Sequence, residues 1–162
     1  MFIRTAGERD LEAVRALLIE TWHTTYDELY GREGVEAISE RWHSQTWLRQ
    51  LLRRPRSEFI VADTGSELAG MAFAAIPESD PEVVEIEELN VRPGMQGRGA
   101  GSLLLAELED SFWDCRLMRL DVEARNVRAL KFYQAKGFTE RNRRTATQWV
   151  SATVVTMVKP LA

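Results

Sequence analysis

The sequence predicts an α/β domain built around a mixed sheet, and three observations carry that prediction. Hydrophobic periodicity alternates between strand and helix repeats in the order βααβββαβαββ. A strand ending at Val91, a glycine-rich turn, a helix and a further strand make one βαβ unit between Val83 and Glu123, whose two strands run parallel with a right-handed crossover. Two β-rich runs and the strand from Val83 are joined by short turns, which makes those three strands antiparallel neighbours. At 162 residues the chain suits a single domain spanning 1–162.

In order, Phe2 to Thr5 reads as a short strand, and Gly7 to Glu20 as a helix with Leu11, Val14, Leu17 and Leu18 on one face. An aromatic stretch, Trp22 to Tyr30, follows as a lid or wall. A second helical pattern runs from about Val35 to Leu52, where Pro55 closes it. Glu58 to Asp63 and Glu67 to Ile76 flank Thr64-Gly65-Ser66, a hairpin signal. The strand from Val83 comes next, then a helix from about Gly99 to Trp113 carrying Leu104, Leu108 and Phe112 as an i, i+4, i+8 stripe, then a strand from Arg116 to Glu123. Asn126 is placed to cap a helix that Gly137 stops. Phe138 to Trp149 and Val150 to Lys159 close the chain as two strands.

Composition excludes several functions. Hydrophobic residues make up 44% and charged residues 28% of the chain, which is ordinary for a soluble globular protein rather than a disordered one. A net charge of −4 gives no support for general affinity toward nucleic acid or an anionic membrane. Two local basic clusters, Arg53-Arg54-Pro55-Arg56 and Arg141-Asn142-Arg143-Arg144, read as solvated surface. No apolar run approaches the ~20 residues of a membrane span, and no signal-peptide core is visible. The single cysteine, Cys115, forms no internal disulfide and fits a reducing, cytoplasmic compartment. His23 and His43 lack metal-ligand spacing, so no metal is expected.

The turn after Val91 has the form of an anion cradle. Gly97, Gly99 and Gly101 stand at alternate positions ahead of the helical stripe, so bare backbone N–H groups and a helix dipole converge on one point. Glycine keeps Cβ atoms from holding a ligand off that backbone. In the preceding strand, Val84 and Ile86 share one parity while Leu89 and Val91 share the other. A β-bulge between Glu87 and Glu88 would return both pairs to one face.

Gln96-x-x-Gly99-x-Gly101 after the Leu-Asn-Val strand end resembles the cofactor motif of the GCN5-related N-acetyltransferases, the GNAT family. Asn126, Ala129, Phe132-Tyr133 and Gly137-Phe138 stand at the spacings of the family's next motif. The motif likeness covers about Leu89 to Phe138, and the element order extends it over nearly the whole chain. It implies a mainly antiparallel sheet with a central parallel pair splayed at a bulge, flanked by about four helices.

The resemblance also implies acetyl-CoA as cosubstrate and direct attack by a bound primary amine in a ternary complex. Backbone at Leu89, Asn90 and Val91 would bind the acetyl carbonyl and pantetheine. Gln96, Gly97, Arg98, Gly99, Ala100, Gly101 and Ser102 would surround the pyrophosphate, with Asn126 completing the cofactor set. Tyr133 matches the family's general acid. The base, needed because amines are protonated at neutral pH, falls to Glu87, then Asp121, then Glu85, with Asp121 a methylene shorter than the glutamate some members use. The acceptor, a small-molecule or peptide amine, stays open; Trp22, Tyr26, Tyr30 and Trp149 are candidate lining residues. Many relatives pair as homodimers, and the resemblance extends that option to this chain.

Other readings fit less well. A dinucleotide turn would need a third glycine where Ser102 stands, and no Gly-Lys-Ser/Thr occurs for a nucleotide loop. A non-catalytic acyl-CoA-binding module is the alternative; Tyr133 and the clustered carboxylates favour catalysis over it. Cys115 has no visible histidine partner, which argues against a covalent acyl-cysteine route.

Overall fold

A computed structural model describes residues 1–147 and 150–161. Seven strands form one sheet in the order β1-β2-β3-β4-β5-β7-β6. Strand β1 is Phe2–Thr5, β2 Ser57–Asp63, β3 Leu68–Ala75, β4 Val83–Val91, β5 Leu117–Glu123, β6 Thr139–Ala146 and β7 Ala152–Pro160. All neighbours are antiparallel except β4 and β5, the parallel pair of the βαβ unit. The helices are α1 Leu11–Tyr30, α2 Arg32–Trp42, α3 Gln45–Arg53, α4 Ala100–Ser111 and α5 Val127–Ala135.

Among the described residues five α-helices therefore flank the sheet where about four were expected, and the difference lies in the first third of the chain. Nothing between Glu20 and Tyr30 breaks a helix, so α1 continues through the aromatic stretch until Gly31, at φ 79°, ends it. The expected lid is thus the second half of α1. The helix expected from Val35 to Leu52 is split at His43, and Ser44 starts α3 by accepting the Trp47 N–H at 3.1 Å. Strand β6 ends at Ala146 and β7 begins at Ala152; Trp149 lies outside the described residues.

Strand β3 is buried along its whole length because both faces of the sheet are covered. On one face Ala69, Ala72 and Ala74 pack with Leu104, Leu105 and Leu108 of α4. On the other, Met71, Phe73 and Ala75 meet Val14, Leu17 and Leu18 of α1 and Leu48 and Leu51 of α3. Small residues beneath α4 let that helix sit close to the sheet, directly after the glycine turn. The predicted bulge is present: Phe73 opposes Glu88 and Ala74 opposes Ile86, leaving Glu87 as the extra residue. With it, Val84, Ile86, Leu89 and Val91 all join the α4 side.

Candidate active site

Parallel pairing between β4 and β5 stops at Ile86 and Leu120. Beyond that point β4 stays on β3 through Val91, and β5 stays on β7 through Glu123. The backbone edges of 88–91 and 121–123 consequently diverge, as a bulge that adds local twist at Glu87 dictates. Tyr133 of α5 belongs to the buried cluster that borders this slot, together with Ile86, Leu89, Val91, Leu120 and Val122. Its ring packs edge-on against Phe132 and Phe138. Burial, with the neighbouring Tyr26 and the Glu88 charge, pushes its hydroxyl well above the usual phenol range, so it keeps its proton.

The glycine turn leads from the slot to the start of α4. Gly97 (φ 82°) and Gly99 (φ 88°) are left-handed, and Gly99 is the N-cap with no side chain bonded over the helix end. A Cβ at either would meet nothing within 4 Å, so conformation, not crowding within the protein, requires glycine there. Gly101 differs: its Cβ would lie 3.3 Å from the Phe132 ring and 3.6 Å from Val91, so it lets α4 approach α5. The Leu103 N–H bonds back to the Gly99 carbonyl at 3.0 Å, while helix geometry leaves the preceding N–H groups without intrahelical acceptors. Gln96 ties the turn to the strand by donating to the Val91 carbonyl at 3.4 Å. Arg98 is exposed beside it, and Ala100 and Ser102 occupy the first turn of α4. A cap with open N–H groups and no side-chain occupant fits a pyrophosphate.

On the opposite face of the sheet, a row of aromatic rings runs along the second half of α1. Trp22 and Tyr26 lie 4.5 Å apart, and Tyr26 stacks on Tyr30 at 5.0 Å and 2°. Tyr26 accepts a hydrogen bond from Asn126 Nδ2 at 3.1 Å, while Asn126 Oδ1 caps α5 through the Ala129 N–H. Asn126 is thus engaged within the protein on both sides. Burial raises the Tyr26 hydroxyl, opposed by the Asn126 bond and assisted by the charges of Glu88 and Glu123.

The carboxylates expected at the site have different surroundings. Glu87, the bulge residue, forms an ion pair with Arg54 at 2.6 Å, and Glu85 pairs with Arg119. Against the opposing pull of burial, hydrogen bonds from Arg144 and Thr156 hold the Asp121 carboxyl below its ordinary value. Asp121 also lines a cleft of about 370 Å³ with Arg119, Arg141, Arg143 and Arg144. Glu88 was not singled out by sequence. Its Oε2 accepts from Asn90 at 2.7 Å, and its Oε1 lies 3.4 Å from Nε2 of the fully buried His43, whose Nδ1 meets Ser39 Oγ at 3.2 Å. The signal was available in the parity switch: once Leu89 and Val91 turn to the α4 side, Glu88 and Asn90 must face α1 and α2. Glu123 was missed as well, and its carboxylate is buried with only one oxygen engaged, by Arg125. Among the described residues no group of three or more His, Cys, Asp or Glu could hold a metal ion, and no helix is long and apolar enough to cross a membrane.

Residues 11–138 match the acetyltransferase (GNAT) family, and the chain belongs to that family of acetyl-CoA-dependent N-acetyltransferases. It is similar to the spermidine N(1)-acetyltransferase of Thermoplasma acidophilum, 27% identical over 145 residues that cover 84% of this chain and 86% of that protein. Over 88 residues, 54% of this chain and 55% of the other, it is 34% identical to the N-alpha-acetyltransferase RimI of Mycobacterium tuberculosis. The fold superposes on the PaiA N-acetyltransferase of T. acidophilum crystallised with coenzyme A, with a TM-score of 0.84, 24% identity and 98% of both chains covered.

Proposed function

We propose that this protein transfers the acetyl group of acetyl-CoA to a primary amine by direct attack in a ternary complex. The observation that carries the reading is the slot where β4 and β5 part at the Glu87 bulge, bordered by a buried, protonated Tyr133 and leading to the open N-terminus of α4. Residues 96–102 would hold the pyrophosphate, and the free backbone edge of Leu89, Asn90 and Val91 would hold the pantetheine and thioester. Bound acetyl-CoA supplies an activated acyl group.

The chain's own residues supply the rest. Glu88 is the base: its carboxylate faces the acceptor side beside the aromatic row, with one oxygen held by Asn90 and the other 3.4 Å from His43 Nε2. Glu87, Glu85 and Asp121 are each engaged by an arginine, which occupies their oxygens. Tyr133 holds the proton that neutralises the departing thiolate. Asn126 aligns α5, and hence Tyr133, with Tyr26 of α1. The lone Cys115 suits a reducing cytoplasm.

The test is a thiol-release assay with acetyl-CoA across alkylamines, polyamines, amino acids and peptides bearing free N-termini or lysine. Amine-dependent release with the acetylated product identified by mass spectrometry is expected. Binding of acetyl-CoA without turnover on any amine class would overturn the reading.

A further inference from the structure

His43 is a fully buried titratable side chain to which acetyl transfer by Glu88 alone gives no task. It closes the C-terminus of α2, where its N–H donates to the Ser39 carbonyl at 3.0 Å and its Nδ1 meets the buried Ser39 hydroxyl at 3.2 Å. From α1, Trp22 packs edge-on against the imidazole at 5.3 Å. The ring is thus held by two helices, and its second nitrogen is directed at β4, with Nε2 3.4 Å from Glu88 Oε1.

Nε2 has no hydrogen-bond partner, and a buried polar nitrogen without one is costly. The hydrogen bond made by one ring nitrogen decides which nitrogen carries the proton. With the hydrogen on Nδ1 and donated to Ser39, Nε2 presents a lone pair to the Glu88 oxygen, and two acceptors face each other until the carboxylate gains a proton. A separation of 3.4 Å, longer than the roughly 2.7–3.2 Å of an ordinary N–H···O bond, agrees with that arrangement. The groups facing His43 are Trp22 from α1, Ser39 from α2 and Glu88 from β4. Tyr26 and Tyr133 feel the Glu88 charge, and burial keeps both protonated.

We propose that His43 takes the acceptor's proton from Glu88, so that the base is a Glu88–His43 pair whose imidazole tautomer is set by Ser39. This rests on the acetyltransferase reading and deepens its proton path. The amine N–H bond breaks with its electron pair left on nitrogen, and the proton joins Glu88 Oε1. The O–H bond then breaks toward Nε2, which regenerates the carboxylate beside an imidazolium whose Nδ1–H stays on Ser39. A side-chain shift of roughly 0.5 Å brings Oε1 and Nε2 within transfer range. An imidazole is the stronger base of the two by about two pH units in ordinary surroundings, so the proton moves downhill. After the amide leaves, the proton returns through Glu88 to solvent. His43 touches no substrate and acts as a positioning residue for the proton that Glu88 removes.

The experiment begins with ring-nitrogen NMR of ¹⁵N-histidine protein saturated with coenzyme A. The chain has two histidines, so His23→Gln assigns the signals. Neutral His43 should carry its hydrogen on Nδ1, and Glu88→Gln should move its titration to lower pH, because the carboxylate that balances the imidazolium is gone. In turnover, His43→Gln, which has a polar side chain but takes no proton, should lower kcat about tenfold at unchanged acceptor KM and remove one ionisation from the rising limb of the pH–kcat profile. Ser39→Ala keeps the imidazole and should give a mixed tautomer with a smaller loss of kcat, which serves if His43→Gln fails to fold. A neutral ring with its hydrogen on Nε2, a His43 titration indifferent to Glu88→Gln, or a folded His43→Gln with the wild-type pH profile would each overturn the proposal. If no amine is acetylated, the acetyltransferase reading fails, while the NMR titration still decides whether Glu88 and His43 share a proton.

Discussion

The surroundings of Tyr133, the general acid of the proposed mechanism, penalise the phenolate. A deep hydrophobic site and nearby negative charge both favour the neutral hydroxyl, so the proton is present at any physiological pH. Tyr133→Phe should lower kcat by about 10²-fold, within the range of a single general acid, with acetyl-CoA affinity nearly unchanged. Unaltered turnover on a good acceptor would exclude Tyr133 from the chemistry. Glu88→Gln keeps the shape and removes the proton acceptor, so a fall of about 10²–10⁴ in kcat is expected at neutral pH. A pH–rate profile should show the loss easing as pH rises and more amine is free; a parallel offset at all pH values would point to a structural role instead.

At the level of elements, the α4 N-terminus and the α5 cap do separate jobs that substitutions can distinguish. Gly99→Ala forces a side chain into a left-handed cap and should cost about 1–2 kcal/mol, while Gly101→Ala pushes on the Phe132 ring and should tilt α5 and Tyr133. Asn126→Ala removes the α5 cap, worth about 1 kcal/mol, together with the bond to Tyr26, so thermal melting should show a loss and kcat should drop with it. The βαβ unit, the bulge and both motif segments were legible because they depend on local glycine chemistry and on period-two alternation. The α1–α3 region was less so: an aromatic run such as Trp22 to Tyr30 has no breaker, yet its rings look like a loop or wall when read as composition. Glu88 and Glu123 escaped for a different reason. Which carboxylate finds an arginine depends on strand neighbours far apart in sequence, as with Glu87 and Arg54 or Asp121 and Arg144.

Across the whole molecule, the first strand is anchored by charge. Arg4 of β1 bonds both oxygens of Asp10 at 2.9 Å and also Asp63 of β2, and Asp10 accepts the Gly7 N–H. The Arg4 hydrogen bond, opposed by burial, holds the Asp10 carboxyl below its ordinary value of 3.8. A depressed folded-state value means this contribution is complete above that value and is lost as pH falls through the lower one. Asp10→Asn should therefore cost about 1–3 kcal/mol near neutrality, and denaturant melts of the two proteins should converge as pH falls through the lowered Asp10 value.

The sheet order has a consequence for how the protein is assembled. Strand β7 lies between β5 and β6, so among the described strands β6 has β7 as its sole partner and β5 lacks one edge until β7 arrives. The wall that carries Glu123 is thus finished by a strand that follows it by about thirty residues in the sequence. In pulse-labelled refolding, amides of β2, β3 and the first half of β4 should become protected first, with β5 and β7 following together, because contacts of long sequence separation close slowly. Acetyl transfer should appear with that second phase.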